Sequence, residues 1–216
     1  MSGDATELAP RRATRPALTR DVVLDAALTL FARRGYHGTA LSEIAETLQV
    51  RTPSLYNHMD SKHDLLRSIV DRTTAGVLAD FHAVVDSDDP PVEQLRKAAE
   101  IYAHRHATHR REALVVNRDT GSLEEPARSE LQARRREHEH ALRDVIARGV
   151  AAGDFQVDSP ALASFAIREL CVSIARWFPD DGGLTAKAVA DQYSRFALRI
   201  VGVRPEQDAL AETMQR

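Results

Sequence analysis

Between Arg51 and Lys62 the chain gathers Arg51, Thr52, Ser54, Tyr56, Asn57, His58 and Lys62, with Asp60 as the only acid. Hydroxyls, an amide, an imidazole and cations of this kind hydrogen-bond phosphate oxygens and base edges, and a guanidinium pairs with guanine or phosphate. Nine histidines raise a second chemistry, metal ligation. Spacing limits it, because His104 and His106, or His138 and His140, point to nearly opposite sides of a helix. Only His106 and His109 share a face; they form the metal-responsive alternative, without a His-Glu-x-x-His pattern or a nearby cysteine. His138 sits on an apolar stripe, as a core histidine or a pocket-lining one. The sole cysteine, Cys171, has no evident neighbouring base and forms no internal disulfide. No glycine-rich phosphate loop, nucleophile elbow or carboxylate pair is present. The chain is therefore not read as an enzyme, and it calls for neither a cofactor nor a metal.

Positioning these residues falls to helices. Glycine (10) and proline (9) make up about 9% of 216 residues, below the roughly 12% of average usage, which favours long helices. Val23, Ala26, Ala27, Leu30 and Phe31 repeat at helical spacing behind a Thr19 cap, and Gly35 ends that helix. Leu41, Ile44, Ala45 and Leu48 mark a shorter helix, and Thr52-Pro53 opens a third that runs to about His58. Ser61-Lys-His-Asp64 resembles a capping box and launches a long helix towards Asp86, about 39 Å if unbroken. Further helices are expected around Leu95–His106, Leu114–Arg118, Leu131–Ile146, Ser159–Phe178 and Thr185–Val203. No strand is credible, so the fold class is all-α with about nine helices. The most apolar stretch, Ala161–Phe178, is broken by Arg168, Glu169 and Arg176, which excludes a simple membrane span. No apolar run follows the N-terminal arginines as a secretory signal requires. A cytoplasmic protein without a membrane partner is expected.

Leu48-Gln-Val-Arg51 leaves room for only a three- or four-residue turn between the second and third helices. Two short helices so joined, buried through Ile44, Ala45, Leu48, Val50 and Leu55, form a helix-turn-helix at about residues 40–59. Here the sequence resembles the tetracycline-repressor (TetR) family of bacterial transcription regulators. The resemblance rests on Gly35-Tyr-His-Gly-Thr-Ala-Leu-Ser-Glu-Ile-Ala45, Val50-Arg-Thr-Pro-Ser-Leu-Tyr-Asn-His-Met59 and Ser61-Lys-His-Asp-Leu-Leu66. It implies that Thr39 caps the second helix and touches a phosphate. It further implies that Tyr56, His58 and Lys62 hold phosphates while Arg51, Thr52, Ser54 and Asn57 face the major groove. Gln49 departs from the pattern, standing where the family usually has glycine in the turn. A left-handed Gln there costs about 1 kcal/mol relative to Gly.

The net charge of −3 is an average over unlike parts: residues 10–62 carry +3 and the remainder −6. The expected organisation is a basic arm at 1–18, a DNA-binding domain at 19–66, a ligand-binding and dimerisation domain at 67–203, and a tail at 204–216. The resemblance implies three partners: a palindromic double-stranded DNA operator, a small-molecule effector and a second copy of the chain. Phe165, Ile174, Tyr193, Phe196 and Ile200 on the last two helices are candidates for the homodimer interface. Phe81, Tyr102, His106, Asn117, Arg118 and Trp177 are candidates for lining an effector pocket. Arg176-Trp-Phe-Pro179 followed by Gly183-Leu-Thr-Ala186 resembles a subgroup whose ligands include acyl-CoA thioesters. Arginines at 110–118 and 134–136 either meet a CoA phosphate or form a solvated face.

Overall fold

The computed structural model describes residues 17–179 and 181–203. The expected tail and nearly all of the expected basic arm, including Arg11, Arg12 and Arg15, lie outside the described residues. Among the described residues there are nine α-helices, one 3-10 turn and no strand.

Helix α1 (Arg20–Arg34) starts where Thr19 Oγ1 accepts from the Val22 amide and stops at Gly35, whose φ of 84° an L side chain rarely adopts. Helix α2 (Leu41–Thr47) begins one residue later than the expected Thr39 cap: the Ala40 amide donates to Glu43 Oε2. Helix α3 is shorter than expected, Thr52–Leu55, and its cap position is Arg51. Helix α4 (Lys62–Val85) runs unbroken for 24 residues from a Ser61 cap. Its capping box is rearranged, because Asp64 is one methylene shorter than the usual Glu. The Asp64 carboxylate accepts from the Asp60 amide and pairs with Arg20 at 3.0 Å.

These four helices close over a core centred on Phe31, Ile44, Leu55, Leu65 and Leu66, all fully buried. Arg20 locks the arrangement, donating to the His58 carbonyl, Asp64 and Ser68. The Arg20 guanidinium holds the Asp64 carboxyl below its ordinary range.

The rest of the chain is a bundle of α5 (Pro91–Thr108), α6 (Arg110–Arg118), the 3-10 turn (Thr120–Ser122), α7 (Ala127–Ala152), α8 (Pro160–Trp177) and α9 (Ala186–Ile200). Helix α5 is central, packing on α4, α7, α8 and α9. Helix α7 passes through Gly149, where Phe155 packs against the bare Cα, and stops at left-handed Gly153. Helix α6 starts earlier than expected, adds Val115 to the core of the α1–α4 unit and bonds α1 through Arg111 and Arg118.

Candidate nucleic-acid interface and ligand cavity

The turn between α2 and α3 is tight: the Gln49 amide donates to the Glu46 carbonyl and the Val50 amide to the Ala45 carbonyl, both at 2.9 Å. Closing it places Gln49 at φ 54°, the left-handed conformation that its sequence position raised as a question. With Leu55 pulled into the core, the opposite side of α3 and the turn after it carry the polar set. Arg51, Tyr56 and Asn57 are exposed, with Tyr56 54% accessible, and Thr52, Ser54 and His58 are half-buried on the same unit. Lys62 sits at the first position of α4 with its Nζ 4.3 Å from the Tyr36 ring centroid. Burial lowers its pKa. A cation at a helix N-terminus opposes the macrodipole, an arrangement that an approaching anion relieves. Thr39 is the exception within the set. It is buried, and its hydroxyl donates to the Gly35 carbonyl at 2.9 Å, so its work is to join α1 to α2 and its side chain offers no surface to a phosphate.

A cavity of about 590 Å³ opens between α4, α5, α6, α7 and α8. Val77, Leu78, Ala113 and Val116 give it apolar walls. Six arginines also border it: Arg72, Arg105, Arg134, Arg135, Arg136 and Arg168, against two acids, Glu112 and Glu139. Four of these cations are engaged with acids: Arg72 with Asp21, Arg105 with Asp80, Arg134 with Asp71 and Arg168 with Glu169. Arg135 instead donates to the Val116 carbonyl at 2.9 Å, and burial lowers its pKa, with Arg168 nearby adding to the effect.

Of the residues expected here, Tyr102 and His106 line the cavity. Phe81 is buried behind it, 3.9 Å from the His138 ring. Asn117, Arg118 and Trp177 do not line it. Asn117 is exposed, and Arg118 turns away to donate to the Phe31 and Ala32 carbonyls at the end of α1 and to Asp119. Trp177 stacks on Tyr193 with ring centroids 6.2 Å apart. His138 was readable as a core or a lining residue; it is both, buried against Phe81 and bordering the cavity. The arginines that border the cavity were anticipated by sequence only in part. Only 134–136 carried a signal, since Arg72, Arg105 and Arg168 come from three separate helices. His106 Nδ1 lies 2.7 Å from the Tyr102 carbonyl, and among the described residues no three His, Cys, Asp or Glu gather to hold a metal.

The candidate interface residues divide. Tyr193 and Phe196 are half-buried neighbours on α9, while Ile200 and Phe165 are exposed, the latter also bordering the cavity. Ile174 is fully buried against α5 and α9, so no surface remains on it for a second copy. Leu162, at 69% exposure, and Leu184, at 60%, add apolar surface that the sequence reading did not single out. No helix among the described residues is long and apolar enough to cross a membrane.

Residues 23–69 match the family model for bacterial regulatory proteins of the tetR family, and residues 88–201 match the model for the tetracyclin repressor-like C-terminal domain. The chain is 27% identical over 197 residues to the HTH-type transcriptional repressor KstR2 of Mycolicibacterium smegmatis, covering 88% of this chain and 94% of that protein. Its fold is similar to a bacterial regulatory protein in the tetR family from Rhodococcus RHA1, with TM-score 0.78 and 29% identity over 87% of this chain and 99% of that one. It also matches the fold of AibR, solved in complex with isovaleryl coenzyme A and operator DNA, with TM-score 0.72, 24% identity, and 82% and 96% coverage. A helix-turn-helix head on a helical bundle with a cavity between its helices, matched by family models over both parts, places this chain in the TetR family of ligand-responsive, DNA-binding transcriptional regulators.

Proposed function

We propose that the protein is a homodimeric repressor that binds a palindromic operator and is released from it by an acyl-CoA thioester. The observation that carries this reading is the cavity itself. Its volume lies within the range of roughly 300–1,000 Å³ typical of small-molecule sites, its walls are apolar, and six guanidiniums border it. An acyl chain suits the walls, and the phosphates of CoA suit arginines, which bind such groups bidentately. The similarity to AibR, a protein solved with isovaleryl coenzyme A, supports the same class. On the DNA side, Arg51, Thr52, Ser54 and Asn57 would meet base edges, and Tyr56, His58 and Lys62 would meet phosphates. Two-fold pairing through exposed apolar residues of α8 and α9 sets two such heads on successive major grooves, which requires a palindromic site.

The test uses the DNA upstream of the protein's own gene in an anisotropy titration across salt concentrations. Lys62→Ala is expected to weaken binding and to flatten the log–log salt slope by about one, the contribution of one phosphate contact. Tyr56→Phe is expected to weaken binding about fivefold, the loss of one hydrogen bond, with the slope unchanged. Adding octanoyl-CoA should release the DNA where octanoate does not. Unaltered affinity and slope in both variants would remove Lys62 and Tyr56 from the DNA interface, and release by the free acid alone would remove the thioester assignment.

A further inference from the structure

The inner wall of the cavity is less apolar than a plain hydrocarbon guest requires. His138 lines it from α7 at 6% exposure, between the Phe81 ring at 3.9 Å and the Tyr102 ring at 5.2 Å, and its Nε2 is buried with no hydrogen-bond partner. Thr74, on α4, also borders the cavity, and its Oγ1 is likewise buried and unpartnered. These are the two orphaned buried side-chain polar atoms among the described residues, and both belong to the wall of one cavity. Leaving such a group unsatisfied is unfavourable, and apolar residues of the same shape would avoid it. Two helices therefore bring hydrogen-bonding capacity to a place where the protein makes no use of it. His106 adds to the polar character: it is buried against Tyr102, 4.7 Å between centroids, and its Nδ1 is engaged by the Tyr102 carbonyl.

We infer that the acyl part of the effector carries an oxygen, as a ketone or hydroxyl, that hydrogen-bonds one of the orphaned groups of this wall, His138 first and Thr74 second, and that this pairing distinguishes it from a saturated chain of the same length. This rests on the acyl-CoA reading above and deepens it. Burial, with the charges of Arg168, His82 and His106 adding to it, pushes the His138 pKa down to about 4, so the ring is neutral at physiological pH, with one nitrogen donating and one accepting. A hydroxyl can satisfy either nitrogen and a ketone the protonated one. Nε2 is closed to solvent in the present arrangement, so the pairing requires the ring to tilt between its aromatic neighbours. The acyl part rather than the pantetheine is assigned to it because His138 packs against Phe81, which belongs to the bundle core, whereas the arginines belong to the more accessible border.

Calorimetric titration of the full-length protein with octanoyl-CoA, 5-oxo-octanoyl-CoA and 7-oxo-octanoyl-CoA tests this. At least one oxo thioester is expected to bind about tenfold more tightly than octanoyl-CoA, the effect of one buried hydrogen bond. His138→Phe, which keeps an aromatic ring beside Phe81 and Tyr102, is expected to erase that preference while still binding octanoyl-CoA. Thr74→Val is the second arm, expected to reduce the preference even where the His138 variant fails to fold. If all three thioesters bind wild type equally, the inference is overturned and the acyl-CoA reading stands. If none binds, both fall. A preference that survives both substitutions overturns the assignment of these residues.

Discussion

Gln49→Gly should make this protein more stable, and the size of the gain follows from one backbone angle. Gln49 holds φ 54° in the α2–α3 turn, with an exposed side chain. For an L residue the left-handed region costs about 1–2 kcal/mol, and glycine is relieved of it. Against this, glycine gives the unfolded chain extra freedom, worth about 0.4–1 kcal/mol. The net gain is then about 0.5–1 kcal/mol. For a chain of this size each kcal/mol moves Tm by roughly 2–4 °C, so a rise of about 1–4 °C is expected. Urea denaturation at a fixed protein concentration reads the same change as a shift in midpoint at constant m, free of the concentration dependence that a dimer introduces. Gln49→Ala serves as the control, since it shortens the side chain but keeps the Cβ and should show no comparable gain. If Gly and Ala behave alike, or if Gly destabilises, the strain at this turn is not what the angle implies.

Two other perturbations follow from equally local features. Gly149→Ala would set a methyl 2.1 Å from the Phe155 ring, a distance no side chain tolerates, so Phe155 must move. A loss of about 1–3 kcal/mol, typical of overpacking, should appear as a lower urea midpoint. His138 gives a pH dependence. Its folded pKa of about 4 lies below the ordinary histidine value, so between about pH 6.5 and 4 the unfolded chain binds a proton that the folded one does not. Stability should therefore fall as pH falls through that window, by up to about 3 kcal/mol from this group, and His138→Phe should flatten the curve.

The helix-turn-helix was legible because its signals are local. Thr19, Gly35, Ser61 and the spacing of Ile44, Ala45 and Leu55 each act within a turn or two, and the structure uses them as caps, stop and core. Thr39 escaped because a one-residue shift of a cap is invisible to a pattern of residue types: the hydroxyl found a carbonyl across the loop instead. The cavity was legible only in part because it is assembled from five helices far apart in sequence. An arginine that borders a cavity, such as Arg168, looks in sequence like one on a solvated face. Ile174 shows the same limit from the other side. Helical spacing reveals that a face is apolar but not whether α5 and α9 already cover it.

That limit bears most on how the cavity could speak to the DNA-binding head. Helix α4 runs through both parts, with Leu65, Leu66, Ile69 and Val70 in one core and Phe81, Val84 and Val85 in the other. The structure adds a second attachment. Helix α6 borders the cavity with Glu112, Ala113 and Val116, while Arg111 bonds Asp25 and Thr29 of α1 at 2.9 and 2.7 Å. Arg118 binds the last carbonyls of α1 and is held by Asp119, a buried carboxylate. A head held by α4 alone could swing about one helix end; a head also gripped along α1 must follow any shift of α6. In the proposed regulatory cycle, an effector needs differential affinity for two positions of the heads, and α6 is the short path along which its contacts can create one. Arg111 and Arg118 of α6, read in sequence as solvated charge, phosphate ligands or pocket lining, are thus better placed to couple the two sites than to serve either of them.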